Sequence, residues 1–334
     1  MAAFGAGTPL PGSTPLLSKA LAKLDVARCR REDEAAVAAG VRILAWPDPH
    51  YPAPLREIPD PPPALYLRGS VEALALPAVA VVGARLSTVY GQNVARMLGE
   101  DLARAGCTVV SGLARGIDAA AHAGSLAVSG RAAAVLGTGV DVVYPRENEG
   151  LYRRILESGG AILSENPPGA PPLPRHFPVR NRIIAGLAWG TIVVEADAKS
   201  GSLVTARFTL ETGREVFAVP HNITSRTGTG PNLLIQKGAK LVQRAEDILE
   251  EMPAGLRNRL GAVLPAGVAG AKEGLDGDAR RLLDLLSPDE PRSVDALCAS
   301  TGLAAARVLS LLLELKMAGA CVELPGMRYA RAGR

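Results

Sequence analysis

Cysteine is scarce and scattered. The four cysteines of this 334-residue chain, Cys29, Cys107, Cys298 and Cys321, form neither a CxxC pair nor a cluster with histidine. That argues against a structural zinc site and a disulfide framework, and makes a reducing compartment the expectation. No apolar run approaches the length of a membrane span, and the opening MAAFGAGTPLPGSTP lacks the charged start and apolar core of a signal peptide. A cytoplasmic protein with no membrane partner is therefore expected. Motifs of chemistry are missing too. There is no GxxxxGK[ST] phosphate loop, Gly137-Thr138-Gly139 starts a dinucleotide fingerprint but lacks its third glycine, and no Ser/His/Asp set is complete. No cofactor or metal is expected.

What is present describes an ordinary globular chain, with 48% hydrophobic and 21% charged residues, a formal net charge of +4 and a pI near 9.0. The mild basicity suits an acidic partner only if it is localised. Residues 1–15 are rich in Gly and Pro and read as a disordered lead-in. Residues 16–70 read as a small helical domain (LLSKALAKLD, then REDEAAVAAGV) followed by a Pro-rich strap. Residues 71–252 alternate strand and helix. AVAVVG, CTVVSG, AAAVLG, AILSE, TIVVEA, EVFAVP and AKLV are the strands, with TVYGQNVARMLGEDLARAG and IDAAAHAGSLAVSG among the helices. Strands apolar on both faces, each followed by a helix, imply an α/β fold with a Rossmann-like parallel sheet. Residues 253–277 read as a linker. Residues 278–334 read as three helices and a hairpin around Pro325-Gly326, which fits a winged helix or any small helical bundle. Its third helix offers only Arg307 and Lys316 as cations, few for a helix that reads DNA.

The most informative stretch runs from Ser164 to Ala206. It is expected to hold two strands, a loop with Arg175, Arg180 and Arg182, and a second loop with Lys199 and the small-residue turn Ser200-Gly201-Ser202. The same feature recurs along the core. Arg85, Arg115, Arg146, Arg175, Lys199 and Arg226 each follow a strand. In a parallel sheet these exits gather along one edge, where ligands bind. Gly83, Gly112, Gly116, Gly137, Gly139 and Gly201 allow close backbone approach there, and helix amino ends after such turns accept phosphate. His176, Phe177, Tyr144 and Tyr90 lie beside the cations. Aromatic faces along a cationic track suit unpaired bases, although Tyr144 and Phe177 could equally be core residues. Asp118 should sit in the first turn of its helix, one turn from His122, as a local structural pair. Glu165 and Glu195 each end a strand. They could share a cleft and serve acid–base work on a nucleotide glycosidic bond, or anchor Arg180 and Arg182.

These motifs, in one order from about Tyr51 to Val242, resemble the DprA (Smf) family, the bacterial DNA-processing proteins of natural transformation. The residues that carry the resemblance are YPAPLREIPDPPPALYLRG, VGARLSTVYG, SGLARGIDAAAH, AVLGTGVDVVYP, FPVRNRIIAGL, VVEADAKSGSLVTA and GREVFAVP. The resemblance implies a sterile-alpha-motif-like N-terminal domain, an extended Rossmann core and a winged-helix C-terminal domain. It implies a non-enzymatic role: a homodimer built through the Rossmann core, binding single-stranded DNA and loading the RecA recombinase, in transformation and DNA repair. The DNA contacts it implies are Gly83 and Arg85, Ser111, Gly112, Arg115 and Gly116, Arg146, Arg175, His176, Phe177, Arg180, Asn181 and Arg182, and Lys199, Ser200, Gly201 and Ser202. Dimer and RecA surfaces would lie around Leu203 to Val219. The chain departs from the family at His221, where a glycine is usual, and at Ala84, where a serine is common. The alternative is a nucleoside-monophosphate glycosidase on the same fold, but the PGGxGTxxE motif of those enzymes is not found.

Overall fold

The strands of the core place apolar residues on alternate faces, and each face finds its own cover. A computed structural model describes residues 25–260, 277–287, 291–317, 320–324 and 327–331. The chain divides into two compact units, residues 1–264 and 265–334. In the first, α1 (Val26–Ala38) leads to β1 (Arg42–Ala45), the short α2 (Ala53–Arg56), β2 (Ala64–Gly69) and α3 (Glu72–Ala75). The alternating core follows: β3 (Ala78–Val82), α4 (Val89–Arg104), β4 (Thr108–Ser111), α5 (Ile117–Ala127), β5 (Ala132–Leu136), α6 (Glu149–Glu157) and β6 (Ala161–Ser164). Its second half is α7 (His176–Leu187), β7 (Gly190–Val193), α8 (Gly201–Glu211), β8 (Glu215–Ala218), α9 (Thr229–Gln236) and β9 (Lys240–Leu241), then α10 (Glu246–Leu249) and α11 (Ala254–Leu260).

These strands form one nine-stranded sheet in the order β1-β2-β6-β5-β4-β3-β7-β8-β9. From β3 to β9 all pairings are parallel; β1 and β2 are added antiparallel at the β6 edge. Every residue of β3 through β7 is buried. Ala80, Val82, Val110 and Val135 pack with Ile183, Ile184 and Leu187 of α7 and Ala206 of α8. The intervening Val79, Val81 and Val109 pack with Ala95, Leu98 and Leu102 of α4 and Ile117 and Ala121 of α5. This two-sided burial is the reason the strands read as continuous apolar runs. Successive strands β4, β5 and β6 build outward from β3 in one direction, and β7 and β8 build in the other.

Two boundaries of the sequence reading are corrected here. The Pro-rich strap is flanked by β1 and β2, which extend the core sheet, and Tyr51, Leu55, Ile58, Leu65 and Leu67 are buried in the same cluster as Val82. The core therefore begins near residue 42. Of the helical N-terminal segment, α1 is present; the lead-in 1–15 and all but the last residue of the first helix at 16–25 lie outside the described residues. The stretch from 253 opens as α11, whose Leu260 is buried and whose Leu256 packs on the α4–α5 side of the core; residues 261–276 lie outside the described residues.

α4 and α5 approach closely, since a Cβ on Gly124 would run into the Arg96 carbonyl and one on Gly99 into the Ala121 carbonyl. His122 lies on α5, fully buried, with neither ring nitrogen hydrogen-bonded. The paired reading with Asp118 is corrected, because the Asp118 carboxylate accepts the Gly112 N–H at 3.1 Å and the Ala114 N–H at 3.4 Å instead. Burial pushes the His122 imidazole down to about 3 from an ordinary 6.5. Above 6.5 both folded and unfolded chains hold it neutral; below, only the unfolded chain takes up the proton. His122 should therefore cost about 1.4 kcal/mol of stability for each pH unit between 6.5 and 3. Urea unfolding across this range should show a shallower acid loss for His122→Leu. Equal slopes for variant and parent would refute it.

The second unit consists of α12 (Gly277–Leu285), β10 (Arg292–Ser293), α13 (Val294–Thr301), α14 (Ala305–Met317), β11 (Cys321–Leu324) and β12 (Arg328–Arg331). Ser293 caps α13, accepting the Ala296 N–H at 3.3 Å, and Gly302 ends it at φ +74°, a left-handed conformation that suits glycine. Leu282, Leu297, Leu311, Leu312 and Leu315 form its core with Tyr329. The strands pair antiparallel in the order β10-β12-β11. Three helices with a small sheet make this a winged helix and not a plain bundle. The Pro325-Gly326 turn lies outside the described residues. Lys316 is paired with Glu323 at 2.7 Å. Among the described residues no single helix is long and apolar enough to cross a membrane.

Candidate nucleic-acid interface

Strand order decides where a ligand can enter. The loop after β3 and the loop after β7 leave neighbouring strands and turn to opposite faces of the sheet, which opens a crevice between them. A cleft of about 590 Å³ lies there. It is lined by Val82 to Leu86 from the first loop and by Asp197, Lys199, Ser200, Gly201 and Ser202 from the second. Phe177, Arg180 and Asn181 of α7 line it too, with Arg226 and Thr227 from the loop after β8.

Phe177 is the aromatic residue of the cleft. Its ring is half-buried over Gly137, where a Cβ would come within 2.9 Å of it. Tyr144 lies beside it with ring centroids 5.5 Å apart. The guanidinium of Arg85, an exposed residue, is 5.4 Å from the Phe177 centroid, and that of Arg180 is 6.0 Å away. These distances suit cation–π attraction. The other wall is the amino end of α8. The Ser200 hydroxyl accepts the Ser202 N–H at 3.3 Å and lies 2.7 Å from the Ser202 hydroxyl. A Cβ on Gly201 would meet nothing within 4 Å, so this end is open. The positive end of this helix and the exposed Lys199 suit an anion. Asn181 donates to the Gly201 carbonyl at 3.2 Å and so ties α7 to α8.

Beyond the cleft, Arg115 pairs with Glu147 at 2.5 Å with both side chains well exposed. Such a pair contributes little, and a phosphate can displace its carboxylate. Arg146 and Arg175 are exposed and, among the described residues, in no ion pair. Gly116 takes φ +74°, and a Cβ there would collide with the Ala84 carbonyl. Glycine thus lets the Arg115 loop seat against the Arg85 turn. His176 donates through Nδ1 to the Gly137 carbonyl at 3.1 Å. Arg226, absent from the expected contacts, pairs with Asp197 at 2.8 Å, and this hydrogen bond chiefly holds the Asp197 carboxyl below its ordinary value. Its position after a strand was the available signal.

Several expected contacts are placed otherwise. FPVRNR is not a loop: α7 begins at His176, and the helix turns Arg180 and Arg182 inward. Arg180 is buried and donates to the Gly112 carbonyl at 3.0 Å, to the Val135 carbonyl and to Asn181 Oδ1. It forms the floor of the cleft. Burial lowers its pKa to about 10, opposed by the Asp118 charge, and burial likewise raises the Asp118 carboxyl against the pull of Arg180. Arg182 is also buried and makes a two-pronged bond to Glu165 at 2.6 and 2.8 Å, with Asp60 at 3.0 Å. Ser111 is buried and donates to the Val81 carbonyl at 2.6 Å. The Gly112 N–H and C=O are spent on Asp118 and Arg180. Gly83 lines the cleft but packs on Ile117. The glutamates do not share a cleft. Glu165 holds Arg182 as one reading expected, whereas Glu195 is bound by Thr88 and Thr227 and, among the described residues, by no arginine. His221, the departure after AVP, donates through Nε2 to the Val194 carbonyl at 2.7 Å and stacks edgewise on Tyr90.

The family model for DNA recombination-mediator protein A matches residues 42–253. The chain belongs to the DNA recombination-mediator protein A family. A second model, the DprA winged helix domain, matches residues 268–327 and agrees with the topology of the second unit. The chain is 43% identical to Protein Smf of Escherichia coli over 85% of its length and 75% of that protein's. It is 45% identical to DNA processing protein DprA of Streptococcus pneumoniae over 61% of its length and 72% of that protein's. The solved DprA of S. pneumoniae superposes with a TM-score of 0.65 at 40% identity, covering 72% of this chain and 83% of that one. DprA from Helicobacter pylori, whose structure addresses its single-stranded DNA binding mode, gives 0.56 at 28% identity over 67% and 95%. The matched span starts at β1, in agreement with a core that includes β1 and β2.

Proposed function

We propose that this DprA-family chain binds single-stranded DNA in the switch-point cleft, acts as a homodimer through its Rossmann core, and loads RecA onto the bound strand. The observation that carries the binding reading is one juxtaposition. A half-exposed phenylalanine face flanked by Arg85 lines the same cleft as the open amino end of α8 with Lys199. The ring offers stacking to any unpaired base, and the helix end and cations offer seats for phosphates. A duplex keeps its bases stacked inside and cannot use the ring. Lys199, Arg85, Arg115, Arg146 and Arg175 supply the phosphate track in this reading; Arg180, Arg182, Ser111 and Gly112 shape it from beneath. The H. pylori relative, described as binding single-stranded DNA, and the family assignment support it. Neither Glu165 nor Glu195, the two carboxylates of the glycosidase reading, lines the cleft.

The test is binding of a fluorescent oligonucleotide, single-stranded and duplex, across a salt series. Strong preference for the single strand is expected. With four to five phosphates engaged, a slope of roughly −3 in log affinity against log salt follows. Equal affinity for duplex, or a flat salt response, would sink the reading. RecA loading is checked separately, by RecA filament assembly on a bound strand with and without this protein, and the dimer by its mass in solution.

A further inference from the structure

Glu195, two residues past β7, is fully buried and, among the described residues, in no ion pair. Burying such a group is costly unless its oxygens are satisfied, so its partners reveal its use. Oε2 accepts the Thr88 N–H at 2.9 Å, and Oε1 accepts the Thr88 hydroxyl at 2.5 Å. The Glu195 main-chain carbonyl accepts the Ala84 N–H at 2.7 Å. One residue therefore grips both ends of the turn from Ala84 to Thr88, whose only charged member is Arg85. Oε1 also accepts the Thr227 hydroxyl at 3.2 Å, which ties in the loop of Arg226. Room is reserved for the carboxylate, since a Cβ on Gly91 would run into it. Thr88 also caps α4, accepting the Gly91 N–H at 3.1 Å, so the negative charge meets the positive end of that helix.

We infer that Glu195 is a positioning residue for single-stranded DNA: it clamps the Ala84–Thr88 turn so that the Arg85 guanidinium stays over Phe177 at the cleft. It touches no DNA itself. Without the clamp the turn keeps its sequence but not its geometry, and Arg85 no longer meets the phosphate beside the stacked base. The inference rests on the binding reading above.

The experiment compares the full-length parent with Arg85→Ala, Glu195→Ala and the double variant, on a fluorescent oligothymidylate across a salt series. Glu195→Ala should weaken binding about tenfold, as Arg85→Ala does, the worth of one charge-assisted contact. Its salt slope should shrink by about 0.7, one phosphate's share on a single strand. The double variant should bind within about twofold of either single variant, because both remove the same contact. A merely structural role would not move the salt slope or abolish additivity. Parent-like affinity for either single variant, an unchanged slope in Glu195→Ala, or losses that multiply in the double variant would overturn the inference and leave the binding reading standing. If Glu195→Ala does not give a native melt, Thr88→Ala carries the same test and Thr88→Ser should restore binding; parent-like Thr88→Ala would overturn it. A parent that fails to bind the oligonucleotide overturns both readings.

Discussion

Phe177→Leu is expected to weaken single-stranded DNA binding by about ten- to a hundredfold, because base–aromatic stacking contributes about 1–3 kcal/mol per base. Leucine keeps apolar bulk over Gly137 and so spares the packing that an alanine would empty. It removes the π face that lies 5.4 Å from the Arg85 guanidinium. The loss should be alike for oligothymidylate and oligoadenylate, since every base offers a face to stack. The salt slope should stay near that of the parent, because no phosphate contact is removed. Phe177→Trp should retain binding. Fluorescence anisotropy with the three proteins checks this. Parent-like affinity for Phe177→Leu would mean that the ring is only packing.

Arg180→Met should produce the largest change in stability, a loss of about 3–5 kcal/mol, as expected when one of two buried charges that act on each other is removed. Asp118 and Arg180 are both buried, and each opposes the effect of burial on the other. Methionine fills much of the volume but leaves Asp118 without a counter-charge. It also takes the donor from the Gly112 and Val135 carbonyls. Adding Asp118→Asn removes the stranded charge, so the double variant should lose less than the sum of the two single losses. Urea unfolding at neutral pH reads all three. A single-variant loss below about 1 kcal/mol would show that Arg180 is not part of the framework. Arg182→Met differs in kind, because Glu165 is partly and Asp60 largely exposed, and both can turn to water.

These two residues, close together in one hexapeptide, show how the sequence can be read and where it misleads. FPVRNR presents aromatic, cation and amide side by side, and all suit a nucleic acid. Only the helical turn of α7 separates their uses: Phe177 faces the cleft, Arg180 lies under it and Arg182 points to Glu165. A charged residue in a loop is normally solvated, so nothing local marks an arginine as buried. Glu195 was equally ambiguous. Its position at a strand end suggested a catalytic carboxylate or an arginine anchor. Its actual partners, Thr88 and Thr227, are far away in sequence and carry no motif.

The sequence by itself determined the alternation of strand and helix from Ala78 onward, the cation after each strand and the three helices of the C-terminal unit, because these rest on local periodicity and turn chemistry. The tertiary structure alone decided that β1 and β2 extend the sheet, and that β3 and β7 are neighbours whose loops part to make the cleft. Strand order follows from pairing between distant segments, which no local pattern encodes. For the same reason only the fold could divide the cations at the sheet edge into those left for a ligand and those consumed in holding the edge together.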